Sequence, residues 1–492
     1  MSCLMPTERQ LDQPGGWVVT RAGVNTSPLS KSLTLCGNEH ILSLFLRWLY
    51  SPEPANPCIL AKSSLCTTLK HDDCRIDGVT MAYISAGNLD ATKNVQPVRY
   101  LETDDPNRPP LPGIGLCLSG GGYRAMLFHL GAIWRLNELG LLRKEIVVSG
   151  AEQIGPQRLV RVSSVSGGSI TAGLLGLRWK SLVFDGANVA TNLGQMIVEP
   201  IRVLASTTID VGAILKGKLL PWKNVADEIA AAYRKHLYGK ATLQDLPSDV
   251  EGPRFVLNAN SLQTKALWRF SKPFMGDWRV GLIRNPSLDL ATAVAASGAS
   301  PPFLSPVELK PRPADFDPTT APPKDSLQFE PYTSDVRLTD GGVYDNLGLE
   351  TVWKSYQTIL VSDGGAETPD QRKPSKAWLW QVYRVLNLFD NQVGSLRKRQ
   401  VIGSYQMHLR TGTYWGMRTD IADYDLPSTL PCPHKQTLVL AETPTRLKKL
   451  DPVLQERIIN WGYAVCDAAI RKHVTPAAPV PIAFPYPAVG VG

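Results

Sequence analysis

At 492 residues the chain is longer than one small domain and can bury a large core. With 43% hydrophobic and 20% charged residues its composition is that of an ordinary globular protein, which excludes a disordered or fibrous chain. The formal net charge of +8 favours anionic partners, phospholipid headgroups or nucleic acid, yet no block of like charge forms a nucleic-acid arm. Arg397-Lys398-Arg399 and Lys448-Lys449 are short clusters, expected on solvated helix faces.

The N-terminal stretch carries Glu8, Arg9 and Asp12 and has no apolar core of the kind a secretory leader needs. No window reaches the roughly 18 uncharged apolar residues of a membrane span. The best candidate, Ile41 to Tyr50, is short and interrupted by Arg47. The expectation is a cytoplasmic protein whose membrane contact, if any, is peripheral. The eight cysteines form neither a disulfide framework nor a Cys-x-x-Cys pair, and Cys66, His71 and Cys74 fit no common zinc spacing. Scattered reduced thiols are expected.

Taken in order, 1–110 mixes short apolar pieces with Pro, Ser, Thr and Asn and shows no sustained period. Asp104 to Pro110 is a breaker-rich linker that sets a boundary. The pattern sharpens at Gly113. Ile114 to Leu118 reads as a strand buried on both faces, and Tyr123 to Leu139 as a helix stopped at Gly140. Leu159 to Val165 is a second strand, and Ser169 to Trp179 a second helix. This βαβα succession predicts a parallel α/β sheet with helices on both faces.

Residues 180–250 read as mainly helical, with Ile209 to Leu220 and Val225 to Leu237 the better segments. Arg254 to Asn260 reads as a strand to which Ala266 to Phe270 returns as a hairpin. Leu288 to Ser297 is a small-residue helix, and Lys310 to Pro331 a long Pro-rich loop. Val336 to Thr339 is strand-like, a helix starts near Leu349, and Thr358 to Ser362 is a buried strand. Residues 371–475 turn helical and basic, with Trp378 to Asn387 and Leu454 to Lys472 the best helices. The tail, 476–492, is Pro- and Ala-rich and expected to be extended or disordered. The expected domains are therefore 1–110, 111–370, 371–475 and the tail.

Two glycine-rich turns carry the chemistry. In Ser164-Val165-Ser166-Gly167-Gly168 a strand passes sharply into a helix, which exposes the Ser166 hydroxyl at a helix N-terminus, where negative charge is favoured. In Gly120-Gly121-Gly122-Tyr123-Arg124 three flexible residues let backbone N–H groups converge on an oxyanion. No Gly-Lys-Ser/Thr follows, so this is no P-loop, and Gly113 and Gly115 precede their strand instead of following it, so no dinucleotide fingerprint is present. A serine needs a base. His129 lies inside a helix and reads as a satisfied core histidine, and His236, His408 and His434 have no catalytic setting. Asp340 follows an apolar run and precedes Gly341 and Gly342. Asp363 has the same Asp-Gly-Gly form, and Asp345 is a third candidate.

These three motifs, in this order, resemble those of the patatin-like phospholipases, G-G-G-x-R, G-x-S-x-G and D-G-G/A; Ser164 stands where the pattern has its first glycine. Ala295 to Pro306 is similar to the small-residue helix and proline turn ahead of that family's aspartate. The resemblance covers about 112–366. It implies a three-layer fold with a central, mostly parallel sheet, ester hydrolysis by a Ser–Asp dyad, and no metal or other cofactor. By position Ser166 becomes the nucleophile and Asp340 the base. Gly120, Gly121, Gly122 and Arg124 make the oxyanion region, Ser164, Gly167 and Gly168 support the elbow, and Gly341 and Gly342 complete the Asp-Gly-Gly motif. Asp363 then ends the later buried strand. The expected function is a lipid acyl hydrolase of phospholipase A or lysophospholipase type, acting on phospholipid or another acyl-ester lipid at a membrane surface, with no nucleic-acid partner. The alternatives are an acyltransferase on the same dyad and a lipid-binding module with little turnover.

Overall fold

The computed structural model describes residues 110–144, 157–209 and 225–492, except 303. The Cys66, His71 and Cys74 group, the Ile41 to Tyr50 stretch and most of Ile209 to Leu220 lie outside them.

The first strand, β1 (Leu111–Leu118), leads through the glycine loop into α1 (Gly122–Glu138). β2 (Leu159–Ser164) turns at Ser166 into α2 (Gly167–Arg178). After α3 (Glu199–Ala205) and α4 (Val225–Tyr233) come β3 (Arg254–Ser261), β4 (Leu267–Phe270), β5 (Phe274–Asp277) and β6 (Gly281–Arg284). Next are α5 (Leu290–Ser297), β7 (Val307–Leu309), β8 (Phe316–Asp317) and β9 (Val336–Asp340). The short α6 (Gly342–Asp345) and α7 (Glu350–Trp353) precede β10 (Tyr356–Asp363). The chain ends with α8 (Trp378–Gln406), β11 (Thr411–Gly416), α9 (His434–Ala441) and α10 (Pro452–His473).

All these strands belong to one mixed sheet, whose main path runs β11-β10-β1-β2-β3-β4-β5-β6-β8. From β11 to β3 the pairs are parallel; beyond β3 they are antiparallel. The parallel half is buried on both faces, as its continuous apolar runs require. Alternation along β1 and β10 sorts the side chains: Leu116, Leu118 and Leu360 join the large core under α1, α2 and α10, while Cys117, Ile359 and Val361 join a smaller core with Leu349, Val352 and Val401. Helices therefore cover both faces, the three-layer arrangement expected from the βαβα order.

The sequence reading missed β5, β6, β7, β8 and β11, each six residues or shorter. It also ended α8 near Asn387, whereas the helix continues to Gln406. The tail differs from the extended or disordered segment expected. Phe484 and Val491 are buried, and Asn460 on α10 donates to the carbonyls of Tyr486 and Gly490, at 2.8 and 2.7 Å. Its apolar residues are spaced for contact with a neighbouring helix, a signal invisible to composition.

One feature of the sheet positions the site. β3 pairs with β2 over its first half, up to Leu257 opposite Ser164. With β4 on its other edge, β3 then pairs antiparallel with β9, with Ala259 opposite Asp340. β2 and β9 thus approach from opposite directions along one edge of β3 and meet end to end. The chain leaving β2 carries Ser166, and the last residue of β9 is Asp340.

Candidate active site

Ser166 has φ 49° and ψ −117°, a conformation that costs a non-glycine residue of order 1–3 kcal/mol and persists only where neighbours hold it. The neighbours are specific. The Ser166 N–H is shared by the carbonyl and the hydroxyl of Ser297, at 3.2 and 3.1 Å. The Ser297 hydroxyl in turn donates to Asn258 O at 2.6 Å and lies 2.8 Å from Ser169 Oγ. Ser164, in place of glycine, is fully buried; its hydroxyl accepts from Ser169 Oγ at 3.0 Å and donates to Val256 O. The extra side chain is absorbed by the same polar cluster that holds the turn.

Gly167 and Gly168 are required by close approach: a Cβ on Gly168 would stand 2.5 Å from Leu118 O, and one on Gly167 would strike the backbone of Gly122. The N-termini of α1 and α2 therefore abut. Gly121 and Gly122 have φ 141° and 60°, conformations open to glycine. The Gly120 N–H donates to Asn346 O at 3.0 Å, whereas among the described residues those of Gly121 and Gly122 donate to no other group. A Cβ on Gly120 would lie 3.2 Å from Ser166 Cβ, so the glycine loop borders the serine directly.

The Asp340 carboxyl accepts the Gly342 N–H at 2.7 Å, and the Ser166 side chain beside it also favours the charged form. Burial pushes its pKa up to about 7, against both and helped by the nearby charge of Asp390. Gly341 is wedged beneath it, its N–H on Ser297 O at 3.3 Å and its Cα against Asn258 O. The other Asp-Gly-Gly is built differently. Asp363 is also buried, which alone raises its pKa, but Lys398 Nζ at 2.7 Å, the Tyr414 hydroxyl at 2.7 Å and the Gly365 N–H at 2.9 Å hold it down to about 2. Its carboxylate is a fixed ion-pair partner. Asp345 is buried too and accepts the N–H groups of Leu347 and Glu350.

Arg124 is nearly fully buried, and its guanidinium lies against the glycine loop, 3.1 Å from where a Cβ on Gly121 would stand. Its guanidinium donates to the carbonyls of Gly364 and Thr443 and to Thr445 Oγ1, tying the end of β10 to the 443–446 segment. Burial lowers its pKa to about 10, so it stays charged at neutral pH. His129 sits in the core, as expected: Nδ1 lies 2.8 Å from Ser362 Oγ and Nε2 2.9 Å from Ser119 O. Burial lowers its pKa to about 4 and keeps it neutral. It braces the ends of β1 and β10 beneath the glycine loop.

Sequence reasoning missed Ser297, Asn258 and Asn346. Asn346 follows Asp340-Gly341-Gly342 by four residues, and its backbone carbonyl and side-chain oxygen both face the glycine loop. Its spacing placed it one helical turn past the motif, a usable signal; Asn258 and Ser297 carried none. Beside Asn346 and Asp363 lies a cavity of about 400 Å³, also lined by Lys398, Tyr414 and Arg418. Among the described residues no group of three His, Cys, Asp or Glu side chains is arranged to hold a metal ion, and no helix is long and apolar enough to cross a membrane.

A serine at a strained strand-to-helix turn, a buried aspartate and a glycine loop thus stand together at the ends of β2, β9 and β1. Residues 116–353 match the patatin-like phospholipase family, and that stretch is a patatin-like phospholipase domain. A phospholipase B of Cryptococcus neoformans var. grubii is 38% identical over 121 residues, 23% of this chain and 16% of that protein. Among solved structures, human GIVD cytosolic phospholipase A2 in complex with methyl gamma-linolenyl fluorophosphonate is similar at 15% identity and a TM-score of 0.40. That match covers 77% of this chain and 59% of the human one. A second structure of the same human enzyme gives 14% identity and a TM-score of 0.31, covering 57% and 48%. The chain thus spans less than two thirds of each of these proteins.

Proposed function

We propose that the protein is a lipid acyl hydrolase that cleaves carboxylic esters through Ser166 and Asp340. The observation that carries the reading is the meeting of β2 and β9 on one edge of β3, which sets the strained Ser166 beside a buried carboxyl whose pKa stands near neutrality. Ser166 Oγ attacks the ester carbonyl and passes its proton to Asp340. The Gly121 and Gly122 N–H groups donate to the oxyanion that forms, and no histidine intervenes. The alcohol leaves with the proton from Asp340. Asp340 then draws a proton from water, which attacks the acyl-serine, and returns that proton to Ser166 Oγ as the acid leaves, so that both residues are restored. Asp363, held as the partner of Lys398, takes no part, and Arg124 supports the loop instead of the oxyanion.

The test is hydrolysis of a phospholipid and of a water-soluble short-chain ester by wild type and Ser166→Ala, with fluorophosphonate labelling mapped to a peptide. The expected result is label on Ser166 and a loss of at least about a thousandfold in kcat/KM in the variant. Full activity in Ser166→Ala ends the proposal.

A further inference from the structure

α8 is held to the sheet and to α7 by its second half, while its first half bonds to the 368–369 segment, through Arg384 to Pro369 O and Thr368 to Asn387 O. Arg397 pairs with Glu350 at 2.9 Å, Lys398 with Asp363 at 2.7 Å, Val401 is buried, and Tyr405 OH donates to Ile359 O at 2.7 Å. The first three turns, Trp378 to Phe389, are different. Nine of their twelve residues are apolar, and Arg384 is their sole charge. Yet Trp378, Trp380 and Phe389 are 70%, 61% and 64% exposed, and Tyr383, Val385 and Leu386 are exposed as well. A helix that is apolar all round is ordinarily buried, and a contiguous exposed patch of this kind marks a docking surface.

We propose that Trp378 to Phe389 lies in the interfacial layer of an anionic lipid surface. Charge complementarity selects that occupant. Arg372, Lys373 and Lys376 are exposed immediately ahead of the helix, and no carboxylate occurs from Gln371 to Phe389. Such a basic flank is attracted to anionic headgroups, and tryptophan and tyrosine favour the headgroup level. Twelve helical residues span about 18 Å against a hydrocarbon core of about 30 Å, so the segment lies on the bilayer and does not cross it. The anchored half of α8 contributes Ser395 and Lys398 to the cavity beside Asp363 and Asn346, so docking sets the lipid surface near the proposed site. The inference shares with the hydrolase reading its choice of lipid as the ligand.

The experiment is co-sedimentation of the full chain with ether-linked phosphatidylcholine vesicles, which cannot be hydrolysed, with and without about one third ether-linked phosphatidylglycerol. Binding is expected to the anionic vesicles and to weaken with salt. Changing Trp378, Trp380 and Phe389 together to Ser should lower the partition coefficient by about thirtyfold or more, with unchanged thermal unfolding because all three side chains are exposed. Changing Arg372, Lys373 and Lys376 together to Glu should cost at least about tenfold on anionic vesicles only. Both variants should keep wild-type activity on the water-soluble ester. No wild-type binding, or undiminished binding of the triple Ser variant, overturns the proposal, as does a wild-type dimer that this variant dissociates, since a second copy then covers the face. Vesicle binding without cleavage of either ester leaves docking standing and the hydrolase reading fallen; cleavage of the soluble ester without vesicle binding does the reverse.

Discussion

The strained Ser166 is held by Ser297, whose carbonyl and hydroxyl both accept its N–H. Because α5 ends at Ser297 and the Gly341 N–H bonds the same carbonyl, one residue ties the serine turn to the aspartate turn. Ser297→Ala removes the hydroxyl and leaves Ser169 Oγ and Asn258 O short of a partner. The expected cost is about 1–3 kcal/mol of stability. Its kcat should fall about tenfold or more with little change in KM, because the substrate need not touch Ser297. Steady-state kinetics on the short-chain ester together with thermal unfolding check both; unaltered kcat would mean the turn is held without it.

Asp340 and Asp363 make opposite predictions under substitution and under pH. If Asp340 is the base, kcat/KM rises with pH through about 7 as its carboxyl ionises. Asp340→Asn should abolish turnover, while Asp363→Asn keeps an active site on whatever protein remains folded. Stability moves the other way. The folded pKa of Asp340 stands above its unfolded value of about 3.9, so the folded state holds the proton longer and wild-type stability falls as pH rises from about 4 to about 7. Asn carries no such penalty. Asp340→Asn should therefore be more stable than wild type at pH 8, on the order of 2–4 kcal/mol, and not at pH 4. Denaturant unfolding at the two pH values decides it.

How much of this was legible in the sequence follows from the range of each signal. β1, β2 and β10 are buried on both faces, so their apolar runs stood out, and the glycine turns that follow them are local chemistry. The meeting of β2 and β9 on one edge of β3 was not legible, because it depends on a pairing between residues about eighty apart, Ala259 and Asp340. The two Asp-Gly-Gly motifs look alike in sequence and differ only in partners: Lys398 and Tyr414 reach Asp363 from α8 and β11, far along the chain. The partners of Arg124 were illegible for the same reason, since Gly364, Thr443 and Thr445 lie more than two hundred residues away.

The ion pair of Asp363 supports the fold at neutral pH. Its depressed pKa means that this stability is present above the unfolded value of about 4 and is lost as pH falls through about 2. Lys398→Met leaves a buried carboxylate with only Tyr414 and the Gly365 N–H. The expected loss at pH 7 is about 1–3 kcal/mol, discounted because the lysine side chain is 43% exposed. The gap between variant and wild type should narrow as the pH is lowered towards 4, where the variant's carboxyl takes up a proton. Urea unfolding across that range checks it; a gap independent of pH would assign the loss to packing.

Gly131 on α1 and Gly462 on α10 let the two helices touch backbone to backbone. A Cβ on Gly131 would run into Ile459 O and stand 2.8 Å from Tyr463 N, and one on Gly462 would run into Phe128 O. Neither obstacle is a side chain that can swing aside, so the helices must part. The buried pair Arg135–Asp467, at 2.8 Å, resists that movement. Alanine gains up to about 1 kcal/mol of helix propensity over glycine, but overpacking of this kind costs about 1–3 kcal/mol or more, so Gly131→Ala and Gly462→Ala should destabilise on balance. Gly394 on α8 supplies the control, since an added Cβ there meets nothing within 4 Å. Gly394→Ala should stabilise by about 0.5–1 kcal/mol. Because α1 carries the glycine loop on its N-terminus, Gly131→Ala should also lower kcat on the soluble ester, while Gly394→Ala leaves it unchanged. Thermal unfolding and kinetics of the three variants test the helix contact and its link to the site together.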